Sequence, residues 1–238
     1  MKTHTAPVIT IDGPVGSGKS TIGRMLAERL GILYLDTGAM YRAVALAARQ
    51  RGIAPDDDAA LGRLCGRIRI SFSRDGGRQL VFLDGADVTG EIRLPEISML
   101  ASAVSAQPCV RAAMVAQQRA CAENGVVADG RDAGTVIFPQ APFKFYLDAN
   151  VEVRARRRHK ELIEKNIPME YSGVLKEVEQ RDHNDTTRLH APLKPAPDAV
   201  ILDTSLMTIE EVLTALVSHI ERGRPLLPYT QTGTQETC

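Results

Sequence analysis

Residues 8–21 read VITIDGPVGSGKST: a mostly β-branched run leads through an Asp into a glycine-rich turn and then into Lys-Ser-Thr. The apolar run predicts a buried strand at 8–11, and the apolar spacing that follows predicts a helix at 19–30. Residues 13–20 match the pattern GxxxxGK[ST] in full, between that strand and that helix, where a loop of this kind holds phosphate. The stretch therefore predicts a nucleoside-triphosphate site at the end of a buried strand.

The residues of this loop have separate predicted roles. Its glycines allow backbone N–H groups to converge on phosphate oxygens, and the start of the helix adds a partial positive charge. Lys19 is predicted to reach the β- and γ-phosphates, and the Ser20 hydroxyl is predicted to ligate Mg²⁺. The residues predicted to contact the nucleotide are Gly13, Pro14, Val15, Gly16, Ser17, Gly18, Lys19, Ser20 and Thr21.

Composition limits the class of protein. The chain has 238 residues, of which 44% are hydrophobic, which is enough for one sizeable α/β domain with insertions. It has 29 Lys and Arg against 29 Asp and Glu, so no net charge attracts nucleic acid or an anionic membrane, and neither is an expected partner. The four cysteines form no CxxC pair, and no signal peptide is evident before residue 8. No apolar run approaches the ~20 residues of a membrane span, so we expect a soluble, cytoplasmic protein, and a monomer.

Short apolar strands alternate with helices along the chain, which predicts a parallel sheet with helices on both faces. The predicted strands are 8–11, 33–35, 125–128, 143–147 and 199–202, and the predicted helices are 19–30, 38–51, 94–106, 108–122, 151–165, 173–180 and 209–221. Roughly 90 residues separate the second strand from the third, far more than the dozen or so that a crossover needs. Within them, the alternating segments 67–72 and 79–83 flank the turn RDGGR and predict a hairpin in a substrate-binding insertion. A capping box of Thr208 and Glu211 predicts the start of the last helix, and the tail of 223–238, rich in Pro and Thr, is predicted to be disordered.

Three charged segments offer a pocket for an acceptor, and two of them directly follow a predicted strand, where the ligands of open α/β sheets bind. The first, DTGAMYR at 36–42, contains Thr37, which is placed to cap the next helix, and Arg42, which lies one turn into it. Arg42 is able to face a phosphate from this position. In the alternative interpretation, Arg42 lies on a solvated helix face and Thr37 only caps the helix.

The second and third segments carry more charge. The second reads ADGRDAGT, and its Asp129 follows an apolar strand in the manner of the acidic residue that assists Mg²⁺ in phosphate-loop proteins. The third reads RDHNDTTR, and its Arg181, Asp185 and Arg188 recur at helical spacing, so they share one face. An idle surface loop and a salt-bridged exposed helix are the alternative interpretations of these two segments.

These features favour a kinase for a small molecule over other nucleotide-binding proteins. A GTPase needs an [NT]KxD segment to bind guanine, and the sequence has none. A mechanical ATPase needs an apparatus that contacts its partner, for which the chain has little room. The alternatives are a kinase for another acceptor, such as UMP or shikimate, and, in a different class, a nucleotide-dependent switch protein without turnover.

Five motifs together make the chain resemble the bacterial-type cytidylate kinases. They are GPVGSGKS at 13–20, DTGAMYR at 36–42, GEIR at 90–93, ADGRDAGT at 128–135 and RDHNDTTR at 181–188, and the resemblance runs from about residue 8 to residue 221. It implies the P-loop nucleoside monophosphate kinase fold: a five-stranded parallel sheet flanked by helices, with a small antiparallel β insert and a helical lid. The implied domains are a core of 1–36, 108–150 and 189–222, a monophosphate-binding domain of 37–107 and a lid of 151–188.

The resemblance also implies an activity and a set of substrate contacts. The activity is transfer of the γ-phosphate of ATP to CMP or dCMP, which gives CDP or dCDP and ADP, with UMP a poor acceptor. The residues that resemble the cytosine readers of the family are Ser102, Arg111 and Asp132, and the one that resembles the holder of the sugar hydroxyls is Asp185. The residues implied around the acceptor phosphate are Arg42, Arg131, Arg181 and Arg188, with Thr37 also on the substrate side.

The remaining implied roles concern ATP and the transfer itself. The arginines of the lid run are Arg154, Arg156, Arg157 and Arg158, of which one or two are implied to contact the ATP phosphates; the sequence does not distinguish them, although Arg157 and Arg158 are assigned. A solvated helix face is the alternative role of most of this run. The residues assigned to catalysis are Lys19, Asp129, Arg131 and Arg188. No general base is assigned, because the second pKa of a phosphate monoester is about 6 and the acceptor is already a nucleophile near neutral pH. Two positions depart from the family pattern: Val15 replaces a residue that is often small and polar, and Ala133 a larger aliphatic one.

Overall fold

The structure, a computed structural model, describes residues 6–75 and 78–223. Its helices are α1 (Lys19–Leu30), α2 (Thr37–Gln50), α3 (Asp58–Cys65), α4 (Pro95–Val104), α5 (Pro108–Ala120), α6 (Val151–Glu164), α7 (Tyr171–Thr187) and α8 (Ile209–Arg222). Its strands are β1 (Val8–Asp12), β2 (Leu33–Asp36), β3 (Ile70–Asp75), β4 (Arg78–Leu83), β5 (Ala86–Asp87), β6 (Val126–Gly130), β7 (Phe143–Asp148) and β8 (Val200–Asp203). The described residues form two compact units, one of 6–35 with 122–223 and one of 36–121. The tail that is predicted to be disordered lies, from residue 224 onward, outside the described residues.

A five-stranded sheet in the order β2-β6-β1-β7-β8 forms the centre of the first unit. β1 pairs in parallel with β6 and β7, and β7 pairs in parallel with β8. The register of β1 on β6 runs from Val8 opposite Val126 to Asp12 opposite Gly130, so these two strands end side by side. The predicted five-stranded parallel sheet is confirmed, and it brings the loop after β1 next to the charged segment after β6.

The core of this unit follows from the composition of its strands. A parallel sheet covered on both faces needs near-continuous apolar strands, and Ile9 of β1 is fully buried. The same cluster takes in Leu26 of α1 and Leu216 of α8. α8 begins with the predicted capping box, because the side chains of Thr208 and Glu211 each accept a hydrogen bond from the backbone N–H of the other. A cap of this kind stabilises a helix by about 1 kcal/mol.

The second unit contains α2 to α5 and a three-stranded sheet in the order β3-β4-β5. β3 pairs antiparallel with β4, with Ile70 opposite Leu83 and Phe72 opposite Val81. These four side chains are all buried, as the period-2 alternation of the two segments requires. The predicted hairpin and the predicted antiparallel insert are therefore confirmed.

Three local predictions change. α7 is longer than predicted and runs to Thr187, and Ala133–Ile137 form a short π-helical turn that the sequence did not indicate. Thr37 does not cap α2; the carboxylate of Asp36 does, since it accepts a hydrogen bond from the Ala39 backbone N–H at 2.8 Å. Either side chain suits a cap, and the carboxylate one position earlier reaches the free N–H groups first.

Two features bear on domain division and on membranes. α5 belongs to the second unit, whereas residues 108–150 are predicted from the sequence to belong to the core; the division into core, monophosphate-binding domain and lid stays a prediction. Over 6–75 and 78–223, no single helix is long and apolar enough to span a membrane. In the described part of the chain, one helix pair, α4 and α5, bent by 103° at their junction, passes the same test of length and composition.

Candidate active site

The phosphate loop leaves β1 at Asp12 and enters α1 at Lys19, as predicted. Gly16 has a φ of +76°, and a Cβ there would lie 2.7 Å from the carbonyl oxygen of Arg154. A Cβ on Gly13 would overlap the carbonyl oxygen of Leu147. The loop thus packs closely between the end of β7 and the first turn of α6, and only glycine fits at both positions.

Lys19 points back over the loop. Its Nζ donates a hydrogen bond to the carbonyl oxygen of Pro14 at 2.9 Å, and 7% of the residue is exposed. Burial lowers the pKa of Lys19 from 10.5 to about 7, helped by the charges of Arg131 and Arg181 and opposed by that of Asp129. An anion in the loop would offset both the burial and the repulsion, so the site is suited to a phosphate group.

Ser20 and Asp129 meet across the sheet edge. The Ser20 hydroxyl donates a hydrogen bond of 2.5 Å to Oδ2 of Asp129, which is 3% exposed at the end of β6. A hydroxyl and a carboxylate are the hard oxygen donors that Mg²⁺ prefers, and Mg²⁺ usually takes its other ligands from water and substrate phosphates. Among residues 6–75 and 78–223, no group of three His, Cys, Asp or Glu side chains could hold a metal. A magnesium site that is completed by water and substrate phosphates does not need three such side chains. The pair thus fits the predicted cation site.

Arg131 and Asp185 form a buried ion pair in the same unit. Nε of Arg131 lies 2.6 Å from Oδ2 of Asp185, with 16% and 13% of the two side chains exposed. Burial alone would raise the pKa of Asp185, but the charges of Arg131, Arg181 and Arg188 hold that pKa below its usual value. Two residues that are 54 positions apart in the sequence are therefore brought together as charged partners.

Arg188 completes this cluster from a position that helical spacing did not predict. α7 ends at Thr187, and Arg188 has the extended ψ of 141°, so it lies just beyond the helix. Its guanidinium lies 3.6 Å from Oδ1 of Asp132 and 3.9 Å from Oδ1 of Asp185, and its Nε donates to the carbonyl oxygen of Ala191 at 2.7 Å. The structure thus brings together the predicted residues of the second and third charged segments, although Arg188 reaches them from a loop.

The second unit holds the other predicted substrate residues. Arg42 is paired with Asp36 at 2.9 Å, and Thr37 is buried as the first residue of α2. Arg111 is 6% exposed; its guanidinium lies 5.6 Å from the ring centre of Tyr41 and donates to the carbonyl oxygen of Ser105 at 3.2 Å. Ser102 is exposed on α4. Of the three predicted cytosine readers, Ser102 and Arg111 belong to this unit, and Asp132 belongs to the first.

The arginines of α6 differ from one another. Arg157 donates to the hydroxyl and the carbonyl of Thr204, at 3.1 and 2.6 Å, and Arg158 pairs with Glu161 at 3.0 Å. Arg154 is buried; it donates to the carbonyl oxygen of Val15 at 3.2 Å and pairs with Asp182 at 2.6 Å. Arg156 is exposed. Arg154 therefore ties the phosphate loop to α7, a structural role that its place in a charged run did not reveal.

Three site residues were missed by sequence reasoning. Asp12 is 3% exposed and accepts hydrogen bonds from the segment after β6, Asp182 pairs with Arg154, and Thr204 donates to the carbonyl oxygen of Ser17 in the phosphate loop at 3.2 Å. For Asp12 a signal was available, because a carboxylate at the end of an apolar strand must find partners when it is buried. Nothing in the sequence near Thr204 indicates a contact 187 positions away.

Comparison with known proteins places this site in a family. The sequence pattern of the cytidylate kinases matches residues 9–222. Cytidylate kinase of Syntrophotalea carbinolica is 50% identical over 227 residues, which cover 95% of this chain and 97% of that protein. The enzyme of Geobacter sulfurreducens is 49% identical over 222 residues, covering 92% and 95%, and that of Vibrio cholerae is 46% identical over 222 residues, covering 93% and 98%.

A more distant likeness exists to a solved structure. Shikimate kinase from Acinetobacter baumannii in complex with shikimate is 18% identical, with a TM-score of 0.44 and coverage of 92% of this chain and 96% of that one, which is too weak a likeness to bear on function. The family pattern, by contrast, spans nearly the whole described chain, and the curated relatives are identical to this chain at about half of the aligned positions. The chain therefore belongs to the cytidylate kinase family.

Proposed function

We propose that this chain transfers the γ-phosphoryl group of ATP to CMP or dCMP, giving ADP and CDP or dCDP. The observation that carries the proposal is the arrangement within the first unit. The phosphate loop with Lys19 lies beside the cluster of Arg131, Asp185 and Arg188, and the charge of Arg131 acts on Lys19. Donor and acceptor phosphates repel each other, so the transfer needs cations on both. The family membership of the chain supports the same activity.

The chemistry needs positioning more than covalent participation. The loop N–H groups and Lys19 would hold the donor phosphates and stabilise charge on the moving group. Arg131 and Arg188 would hold the acceptor phosphate in line, with Arg181 and Arg42 as further cations. The acceptor needs no general base, because the second pKa of a phosphate monoester is about 6.

A magnesium ion fits the donor side. Ser20 would ligate it directly and Asp129, which is in contact with Ser20, would assist. When bound, such an ion neutralises charge on the β- and γ-phosphates. The Ser20 oxygen would ligate the ion through a lone pair, and its O–H could continue to donate to Asp129.

The acceptor base would be read by Asp132, Arg111 and Ser102. Cytosine presents an N4 amino donor to a carboxylate and the acceptors N3 and O2 to donors, whereas uracil presents O4 in place of N4. Asp132 is 3% exposed, so a uracil O4 facing it would leave two acceptors with no proton between them. On the donor side, Arg157 and Arg158 are the proposed lid contacts with ATP. We further propose that the enzyme works as a cytoplasmic monomer.

The test is an assay of ADP formation with ATP and a panel of acceptors: CMP, dCMP, UMP, AMP and shikimate. We expect CMP and dCMP to be the best acceptors. Asp132→Asn should lower kcat/KM for CMP and narrow the ratio of CMP to UMP by at least about tenfold, which is ~1.4 kcal/mol. Asp203→Asn is the matched control, since Asp203 is exposed at the end of β8 and bonds Ser205.

Three results would count against the proposal. A preference for shikimate or UMP would assign another acceptor, and nucleotide binding without turnover of any acceptor would indicate a switch protein. An unchanged ratio of CMP to UMP in Asp132→Asn, with both activities falling together, would mean that Asp132 supports its loop and does not read the base.

A further inference from the structure

The carboxylate of Asp12 is a buried charged group that the roles above do not use. It stands at the end of β1, directly before the phosphate loop, and is 3% exposed. Its Oδ1 accepts a hydrogen bond from the Ala133 backbone N–H at 2.8 Å, and its Oδ2 accepts one from the Gly134 backbone N–H at 2.7 Å. Both carboxylate oxygens are thus bonded to one short stretch of chain that lies more than 120 positions away in sequence.

That stretch begins immediately after Arg131 and Asp132, which carry the proposed contacts with the acceptor phosphate and base. Ala133 and Gly134 open the π-helical turn, and the backbone at Asp132 has the unusual angles φ −145° and ψ 21°. The bonds from Asp12 lie one and two residues beyond it, so they fix the direction in which both side chains leave the backbone.

The packing around Gly134 shows how closely this turn sits on β1. A Cβ on Gly134 would lie 2.8 Å from Oγ1 of Thr10 and 3.4 Å from Oδ2 of Asp12. The turn therefore lies against side chains of β1, and the lack of a Cβ on Gly134 permits this close contact.

A carboxylate is the side chain that suits this position. Two neighbouring N–H donors each need an acceptor, and an ionised Asp offers two oxygens, whereas Asn offers one oxygen and one NH₂ group that would face a donor. Burial raises the pKa of Asp12 to about 7, with the two backbone hydrogen bonds and Arg131 opposing that rise and Asp132 adding to it. Burying this acid costs free energy, and its two hydrogen bonds to the acceptor segment offset part of that cost.

We propose that Asp12 is a positioning residue for phosphoryl transfer: its carboxylate fixes Arg131 and Asp132 relative to the phosphate loop that begins at the next residue. The inference rests on the proposed roles of Arg131 and Asp132 in binding the acceptor. Asp12 itself touches neither substrate in this account. It acts by holding the acceptor-binding segment and the donor-binding loop to one point at the end of β1.

The experiment compares Asp12→Asn with Asp148→Asn in the full-length protein. Asp148 ends the neighbouring strand β7, and its exposed carboxylate accepts a hydrogen bond from Ala149 N–H at 2.8 Å. We expect Asp12→Asn to lower kcat/KM for CMP by at least about tenfold and to narrow the ratio of CMP to UMP by at least about threefold. The dissociation constant of a non-hydrolysable ATP analogue should change by less than about threefold, and Asp148→Asn should change none of these quantities by more than about twofold.

A second variant reaches the same contact from the other side. In Gly134→Ala the new methyl group would lie 2.8 Å from Oγ1 of Thr10 and 3.3 Å from Cδ of Lys144, so the turn must shift while the Asp12 side chain itself is unchanged. This variant should show the same selective loss with CMP, and it decides the question if Asp12→Asn does not fold.

The controls separate failure of this inference from failure of the proposed function. Arg131→Ala and Asp132→Asn are measured in parallel. If both impair CMP use while Asp12→Asn and Gly134→Ala leave it intact, Asp12 has no positioning role. The inference is also overturned if the two variants weaken CMP and ATP-analogue binding alike, since that is the signature of a general structural defect. If Arg131→Ala and Asp132→Asn themselves leave CMP use unchanged, the proposed acceptor site is wrong, and the inference fails with it.

Discussion

The buried ion pair of Arg131 and Asp185 lends itself to a double-mutant cycle. The three variants are Arg131→Ala, Asp185→Ala and the double variant, and the quantity measured is the free energy of unfolding. Nε and Oδ2 are 2.6 Å apart, and 16% and 13% of the two side chains are exposed, so water screens the pair only weakly. The cycle isolates the energy of this one contact from the other consequences of each truncation.

The expected magnitude follows from the distance and the surroundings. At an effective dielectric constant of about 20, two unit charges this close attract each other by about 6 kcal/mol before desolvation is subtracted. Removing one partner of a buried ion pair typically costs about 3–5 kcal/mol, because the remaining charge stays buried without its partner. In this site either truncation leaves a charge that still has other partners: the charges of Asp129 and Asp182 also attract Arg131, and those of Arg181 and Arg188 attract Asp185, which lowers the cost. We therefore expect about 2–3 kcal/mol for each single variant and a coupling energy of about 2 kcal/mol.

The control is an exposed pair in the same unit. Lys160 and Glu164 on α6 are 4.0 Å apart, with 81% and 64% of their side chains exposed. Such a pair should give a coupling energy of at most about 0.5 kcal/mol. Both cycles are measured by denaturant unfolding, with one common value for the dependence of the unfolding free energy on denaturant concentration. A coupling energy for Arg131 and Asp185 no larger than that of the control pair would refute the view that they form a fixed, buried unit.

Three further predictions concern the same site. Lys19→Ala should lower the rate of transfer to CMP on the order of 10²–10³-fold in a coupled assay, because charge on the moving phosphoryl group loses its stabilisation; near-normal turnover would contradict the phosphate-loop assignment. Burial lowers the pKa of Lys19 to about 7, so at pH 8 binding of an ATP analogue should take up a proton; calorimetry in buffers of different ionisation enthalpy should detect this uptake, and Lys19→Ala should lack it. The raised pKa of Asp12, about 7 against 3.8, means that the folded chain holds a proton that the unfolded chain releases between those values. The stability of the wild type relative to Asp12→Asn should therefore fall as pH rises from about 4 to 7, and a flat difference in unfolding free energy would argue against it.

Local signals in the sequence were enough for most of the fold. Short apolar strands alternating with helices, the loop motif and the capping box of Thr208 predicted the five-stranded sheet and its helices, because each depends on a few neighbouring residues. The extent of α7 was missed because Val174 and Val178 are its buried residues, so no apolar stripe marks its second half. The π-helical turn at Ala133–Ile137 was missed because Asp12, a distant residue, supplies the partners of its first N–H groups.

In the candidate site, too, the local features could be predicted from the sequence and those that depend on distant contacts could not. Lys19 and Ser20 could be predicted, because their roles follow from a motif whose geometry is local. Arg188 could be named, but its placement beyond the end of α7 depends on where the helix stops and on its bond to Ala191. The capping of α2 by Asp36 was not separable in sequence from capping by Thr37, since both side chains are good caps one position apart.

The charges of the first unit suggest how the site is held ready for phosphate. Arg131, Arg188 and Lys19 would repel one another if they stood alone, and the carboxylates of Asp185, Asp132 and Asp129 offset that repulsion. Hydrogen bonds to Asp185 and to the carbonyl oxygen of Gly130 engage only part of the five N–H donors of Arg131, so the guanidinium can bind an acceptor phosphate without leaving its partner. A cation that is already fixed loses little conformational freedom when it binds, and it stabilises charge in the transition state without reorganising. The carboxylates that lower the net charge of the site thus also hold its arginines in place, which is why truncating Asp185 should impair CMP use as well as stability.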